Sequence, residues 1–168
     1  EKGMPLCPQR LSVMAQSISR QVNRGDRIVK GMNKFAHSAD YAQETVDVGE
    51  TIHFIVELAA RIIAMKGADP QIETPATPLT TVTNRFFLEN LVWSCLCRAM
   101  AGCTPDRTVG VAADKTDNAA RIRFSGLPGN FIAAAADFPS PQEKMVAGLL
   151  GARLTADAEK GEIKLILP

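Results

Sequence analysis

The sequence predicts an α+β chain in which one long N-terminal helix precedes a two-layer sandwich, with helices on one face of a mixed sheet. Three observations support this prediction. An apolar repeat with alternating steps of three and four residues runs from Leu11 to Phe35. Helix-start signals recur at Asp47, Asn84 and Ser140. Short segments rich in β-branched residues and bounded by turn residues lie between the later helices.

The N-terminal helix is expected to begin near Pro8, a residue that suits a first helical turn. Its apolar repeat, which we call the seam, consists of Leu11, Met14, Ile18, Gln21, Gly25, Ile28, Met32 and Phe35. Residues 23–26 could instead form a turn, but the seam keeps its phase through Gly25, which favours one continuous helix. Such a seam needs a partner helix from the same chain or from a second copy, so we expect a homodimer.

This helix is also strongly basic. Residues 8–38 contain six lysines and arginines against one aspartate, a net charge of +5, whereas the whole chain carries +1. Four basic residues share one helical stripe, which we call the basic stripe: Arg20, Arg24, Arg27 and Lys34. A charge run of this kind is either a solvated face or a binding surface for an acidic protein partner. Nucleic acid is not expected, because no aromatic residues are interleaved for base stacking.

The rest of the chain alternates helices and strands. Three helices are expected, over Val48 to about Lys66, over Arg85–Met100, and from Pro141 to near Gly151. Strands are expected near Gln71–Thr74, Leu79–Val82, Thr108–Ala113, Ala120–Ser125, Arg153–Ala158 and Glu162–Leu167. No apolar run is long enough to cross a membrane, and we expect a cytoplasmic protein that makes no membrane contact.

The cysteines and histidines do not indicate a catalytic or metal centre. The four cysteines are at positions 7, 95, 97 and 103, without a CxxC pair or a nearby histidine. This spacing does not match the common zinc sites, so we expect buried, reduced thiols and no bound metal. His37 and His53 are expected to be structural or incidental. No nucleophile constellation can be assembled, and the sequence therefore nominates no catalytic residues.

From about Ser12 onward the chain resembles a sensor histidine kinase. Ile18–Arg24 and Ile28–Ala36 resemble the second helix of that family's dimerisation hairpin, and Leu88–Met100 resembles its asparagine-box helix. Similarities to the entry segment, the last helix and the last strand of the family's ATP-binding domain lie at Thr45–Val48, Leu149–Leu154 and Ile163–Pro168. The resemblance implies a helical dimerisation segment over residues 1–44 and a Bergerat-fold ATPase domain over residues 45–168.

The positions that would carry the family's magnesium chemistry are degenerate. The resemblance places Cys95 where the asparagine box has its magnesium-binding amide, and a thiol is a soft ligand unsuited to Mg²⁺. Asn90 could be the magnesium-binding amide only if the alignment were shifted, and we expect it to be an ordinary helix amide.

The positions that would bind the nucleotide are degenerate too. Ser125 and Leu127 stand where the family has its adenine-binding aspartate and a glycine. Asp137 and Pro139 stand in the glycine-rich phosphate loop, where an aspartate repels phosphate and a proline has no N–H to donate. The sequence therefore predicts no nucleotide cofactor.

These departures predict a non-catalytic histidine-kinase-like protein of a bacterial two-component pathway. It would act in phosphotransfer, or as a scaffold that docks a response-regulator receiver domain or a partner kinase, without ATP-dependent kinase activity of its own. The alternative is a divergent but active sensor histidine kinase, and a third hypothesis is a vestigial pocket that binds another small ligand. The family's phosphoacceptor histidine belongs to the first dimerisation helix, and such a residue upstream of Glu1 would restore a phosphorelay.

Overall fold

The computed structural model describes residues 7–102, 108–117, 119–128 and 137–168. In chain order the elements are α1 Pro8–His37, β1 Glu44–Asp47, α2 Val48–Leu58, α3 Ala60–Lys66, β2 Asp69–Glu73, β3 Thr80–Thr83, α4 Arg85–Gly102, β4 Thr108–Thr116, β5 Ala119–Ser125, α5 Pro141–Leu149, β6 Arg153–Asp157 and β7 Glu162–Leu167. The chain divides into a helical unit, Glu1–His37, and a sheet unit, Ser38–Pro168.

The described part of the helical unit contains α1, which is one continuous helix of 30 residues, as the seam predicts. Gly25 lies inside the helix, and the alternative turn at residues 23–26 does not form. None of the residues of α1 is buried. The large aliphatic side chains of the seam keep 46% to 62% of their surface exposed at Leu11, Met14, Ile18, Ile28 and Met32.

The sheet unit contains a five-stranded mixed sheet in the order β2-β4-β5-β7-β6. The β2–β4 pair is parallel and the other pairs are antiparallel. A separate two-stranded antiparallel sheet joins β1 to β3, with Glu44 opposite Thr83. The sequence predicts no strand at residues 44–47, because four residues are too few to reveal an alternating pattern.

Helices cover one face of the five-stranded sheet, so the predicted α+β two-layer architecture is confirmed. Every second residue is buried in β5, in β7 and in β4 as far as Ala113, including Val111, Phe124 and Leu165. These side chains belong to one core with apolar residues of α2 and α4, such as Ile52 and Leu91. The opposite face is polar and carries ion pairs, among them Arg121–Asp114 and Lys164–Asp157.

Several predictions differ in detail from the structure. The expected helix Val48–Lys66 is interrupted at Ala59, which has non-helical dihedrals and separates α2 from α3. The apolar spacing stays helical across this residue, so periodicity alone could not reveal the interruption. β4 extends to Thr116, beyond its predicted end at Ala113, and Asn118 in the connection to β5 lies outside the described residues. Burial was expected for all cysteines, but Cys7 and Cys97 are only half-buried, and Cys103 is not among the described residues.

Candidate functional site at the junction of α4 and α5

The site is built on α4, the helix that contacts α2, β5 and α5 within the sheet unit. Asn84 caps α4, because its Oδ1 accepts a hydrogen bond from Phe87 N at 3.0 Å. The helix α5 begins with the predicted capping box, formed by Ser140 and Glu143. The packing of α4 on α5 brings one face of α4 close to the N-terminus of α5.

Cys95 does not lie on that face. Its side chain has no exposed surface and belongs to the hydrophobic core. Burial, together with the negative charge of Glu143, raises the pKa of the Cys95 thiol well above its ordinary value. The thiol is therefore neutral and shielded from solvent, and it is not available as a metal ligand.

The residue of α4 that reaches α5 is Ser94. Its Oγ donates a hydrogen bond of 2.5 Å to Oε1 of Glu143. The other carboxylate oxygen, Oε2, accepts from the backbone N–H of Ser140 at 2.7 Å, and Ser140 Oγ accepts from Glu143 N at 3.2 Å. We call the contact between the two helices the Ser94–Glu143 bridge. It fixes a helix-capping carboxylate between α4 and the first turn of α5.

The bridge carries a negative charge. Burial raises the pKa of Glu143, but the hydrogen bonds from Ser94 and Ser140 and the positive charge of Arg98 outweigh this effect, so the pKa lies below its ordinary value. The guanidinium of Arg98 also lies 5.5 Å from the centre of the Phe138 ring, within cation–π distance. An anion at the N-terminus of a helix is favoured by the helix dipole. The first turn of α5 is thus already occupied by a carboxylate.

Ser125 lies away from this bridge. It pairs with Gly110 on β4, and both residues alternate with buried positions, so they occupy the sheet face opposite the helices. A Cβ atom on Gly110 would collide with Ser125 Oγ, which shows how closely the serine packs on its neighbour. Ser125 is therefore on the other side of the sheet from Ser94.

Leu127 follows directly after Ser125 and Gly126 and turns back into the core. It is buried, and its backbone N–H donates to the Gly161 carbonyl at 3.2 Å. A Cβ atom on Gly161 would collide with the Leu127 carbonyl oxygen, so only glycine fits there. The leucine side chain thus occupies space inside the protein.

The remaining predicted positions are scattered. Asp137 is exposed and Pro139 is half-buried just before α5. The Asn90 amide donates to the Phe86 carbonyl at 2.7 Å, a bond within α4. His37 and His53 are exposed, as are the members of the basic stripe on α1: Arg20, Arg24, Arg27 and Lys34.

Sequence reasoning missed the role of Ser94 and Arg98. The Ser140–Glu143 capping box was visible in the sequence. The contact of Glu143 with Ser94 depends on α4 lying beside α5, which no local pattern reveals. Across the described ranges, no group of three or more His, Cys, Asp or Glu side chains is placed to hold a metal ion. None of the helices in those ranges is both long enough and apolar enough to span a bilayer.

Comparison with known proteins finds similarity in structure only. No protein-family model and no curated protein sequence matches the chain. The Acinetobacter baumannii histidine kinase AdeS superposes with a TM-score of 0.59 at 11% identity, over 98% of this chain and 85% of that one. The catalytic domain of histidine kinase ThkA gives a TM-score of 0.59 at 14% identity, over 76% of this chain and 97% of the domain.

The chain has the histidine kinase fold. A third structure, histidine kinase ThkA in complex with the response regulator protein TrrA, gives a TM-score of 0.62 at 16% identity, covering 98% of this chain and 53% of that one. The resemblance inferred from the sequence is therefore confirmed at the level of the fold. The segment Leu88–Met100, which in the sequence resembles the asparagine-box helix, lies within α4.

Proposed function

We propose that this chain is a non-catalytic histidine-kinase-like module of bacterial two-component signalling. The observation that carries the proposal is the Ser94–Glu143 bridge. In a histidine kinase, an amide on the asparagine-box helix would hold the nucleotide's magnesium. Here the α4 side chain that faces α5 is the hydroxyl of Ser94, and its hydrogen bond is directed to Glu143. Cys95, the neighbouring position, is enclosed in the core.

The charge of the site also disfavours a nucleotide. Phosphate groups approaching the first turn of α5 would meet the ionised carboxylate of Glu143, and like charges at short distance repel. The exposed Asp137 adds negative charge to the segment that precedes α5. Arg98 is the cation that acts on Glu143 and lowers the pKa of the Glu143 carboxyl. The positive charge of Arg98 is therefore already engaged by that carboxylate. A fixed internal anion thus competes with any phosphate for the same helix terminus.

Titration calorimetry with Mg-ATP tests this proposal. We expect no binding, or a dissociation constant weaker than about 100 μM, which corresponds to roughly −5.5 kcal/mol. The double variant Ser94→Asn, Glu143→Gln restores an amide on α4 and removes the anion, and it should bind Mg-ATP more tightly than the wild type. Tight binding by the wild type would refute the non-catalytic proposal and favour the alternative, a divergent active histidine kinase.

For the partner we propose a response-regulator receiver domain. The structural similarity to ThkA, which was solved in complex with a response regulator, supports this choice. The exposed basic stripe of α1 is complementary to an acidic surface. The exposed seam supports homodimerisation through α1, because a helix with this much solvent-exposed aliphatic surface gains by packing against a second copy. Phosphotransfer would additionally require a phosphoacceptor histidine.

A further inference from the structure

One side chain in the sheet unit bonds two separate segments. The Nδ2 group of Asn84 donates to the backbone carbonyls of Tyr41 and Ala42, at 3.2 Å and 3.0 Å. Its Oδ1 accepts from Phe87 N and so caps α4. The amide of Asn84 therefore ties the connecting segment, which we define as residues 41–44, to the first turn of α4.

A second contact joins the same two segments. Arg85 donates from Nε to Oε1 of Glu44 at 2.7 Å and from Nη2 to Oε2 at 3.1 Å, a bidentate ion pair. Hydrogen bonding to Arg85 lowers the pKa of Glu44, and hydrogen bonding to Glu44 raises the pKa of Arg85. Two consecutive residues at the start of α4 thus bind both ends of the connecting segment.

Within the connecting segment only Glu44 belongs to a strand, where it lies opposite Thr83 in the β1–β3 pair. The side chains of Tyr41, Ala42 and Gln43 are exposed, and Tyr41 keeps 64% of its surface in solvent. The segment is therefore not held by burial of these side chains. Single substitutions at the start of α4 can remove the polar contacts of the segment with that helix.

We propose that Asn84 and the Arg85–Glu44 pair form a releasable clamp that fixes the connecting segment to α4. When the clamp is closed, residues 41–44 are held against the first turn of α4. When the clamp opens, these residues lose that attachment, and the cap of α4 loses its link to the connecting segment. The clamp thereby transmits a change at the connecting segment to α4, the helix that carries Ser94. This inference does not depend on whether the site binds a nucleotide.

The variant Asn84→Asp separates the two roles of the side chain. Aspartate is as good a helix N-cap as asparagine, so α4 stays capped, but it has no N–H to donate to the Tyr41 and Ala42 carbonyls. Chymotrypsin cleaves after an accessible tyrosine once the local backbone opens. We expect the rate of cleavage after Tyr41 to rise by about five- to tenfold, as the loss of two hydrogen bonds implies.

Asn90→Asp is the matched control. It makes the same chemical change on α4, where the amide bonds only to the Phe86 carbonyl among the described hydrogen bonds, and it should leave cleavage after Tyr41 at the wild-type rate. If Asn84→Asp unfolds the protein, Glu44→Gln replaces it, because that change weakens the clamp and leaves the α4 cap intact. Equal cleavage after Tyr41 in wild type and in the folded clamp variant would overturn the proposal. So would unchanged hydrogen exchange across residues 38–46.

Discussion

At the scale of single residues, Glu143 combines two roles that are usually separate. It completes the capping box of α5 and also accepts a hydrogen bond from Ser94 on another helix. The capping role could be predicted from the spacing of Ser140 and Glu143 alone. The contact with Ser94 could not, because it depends on the packing of two helices whose bonded residues are 49 positions apart in the sequence.

The ionised state of Glu143 gives a pH-dependent prediction. Its pKa in the folded protein is below the ordinary value of 4.5, so the carboxylate stabilises the fold at neutral pH, and this contribution is lost as the pH falls through the folded pKa. Glu143→Gln should lower the free energy of unfolding by about 1–2 kcal/mol at pH 7. Urea denaturation from pH 7 down to acidic pH should show this difference shrinking.

Glu159→Gln provides the control for that series, because Glu159 is exposed in the β6–β7 turn. The free energy of unfolding of Glu159→Gln should equal that of the wild type at every pH. A difference between Glu143→Gln and the wild type that stays constant down to low pH would contradict the assignment of an ionised, hydrogen-bonded carboxylate.

Ser94 and Cys95 show why site prediction from this sequence stopped short. Consecutive side chains on a helix point about 100° apart. A shift of one position in the sequence alignment therefore replaces a side chain that faces α5 with one that faces the core. The sequence resemblance placed Cys95 at the decisive position, whereas the structure directs Ser94 towards α5. Only the packing of α4 distinguishes the two.

At the scale of elements, α1 follows directly from its sequence, whereas α2 and α3 do not. The seam repeats over many turns, so a single weak position such as Gly25 cannot obscure the helix. The interruption at Ala59 involves one residue inside a helical apolar pattern, and β1 is only four residues long. Short irregularities of this kind are set by the packing around them, and local patterns do not encode them.

The seam of α1 gives a prediction about assembly. Ile28→Asp would place a carboxylate in the proposed helix–helix interface, where an unpaired charge costs several kcal/mol. We expect sedimentation analysis to find a dimer for the wild type and a monomer for Ile28→Asp. Asn23→Asp adds the same charge on the opposite side of the helix and should remain dimeric. A monomeric wild type, or a dimer that survives Ile28→Asp, would exclude the seam as the interface.

At the scale of the whole molecule, the fold class could be predicted and the strand order could not. Helix caps and alternating apolar residues are local signals, and they located most of the elements in the described residues. The order β2-β4-β5-β7-β6 and the pairing of β1 with β3 depend on contacts between distant segments. The resemblance to histidine kinases indicated the type of fold, but no strand order was predicted from it.

The distribution of charge between the two units gives a prediction about partners. Reversing Arg24 and Arg27 to glutamate should slow association with a cognate receiver domain and weaken the salt dependence of that association, because exposed charges act mainly on the association rate. Arg61→Glu with Arg153→Glu makes the same change in net charge on exposed residues of the sheet unit and should have little effect. Stopped-flow association at several salt concentrations measures both variants.

Equal association rates for the two double variants would indicate that the receiver responds to net charge and not to the stripe. If Arg24→Glu with Arg27→Glu matches the wild type in both rate and salt dependence, the basic stripe is a solvated surface and the receiver docks elsewhere.

The parallel pairing of β2 with β4 has a consequence for synthesis of the chain. In the five-stranded sheet β2 is an edge strand whose hydrogen-bonded neighbour is β4, and β3 and α4 are translated between them. During synthesis β2 is therefore unpaired until β4 has been translated, and an unpaired strand is prone to aggregate with other nascent chains. The sequence of β2 disfavours such aggregation, because Asp69 and Glu73 are charged and Pro70 has no N–H to donate to a strand of another chain. The composition of β2 thus protects the nascent chain from aggregation before β4 has been synthesised.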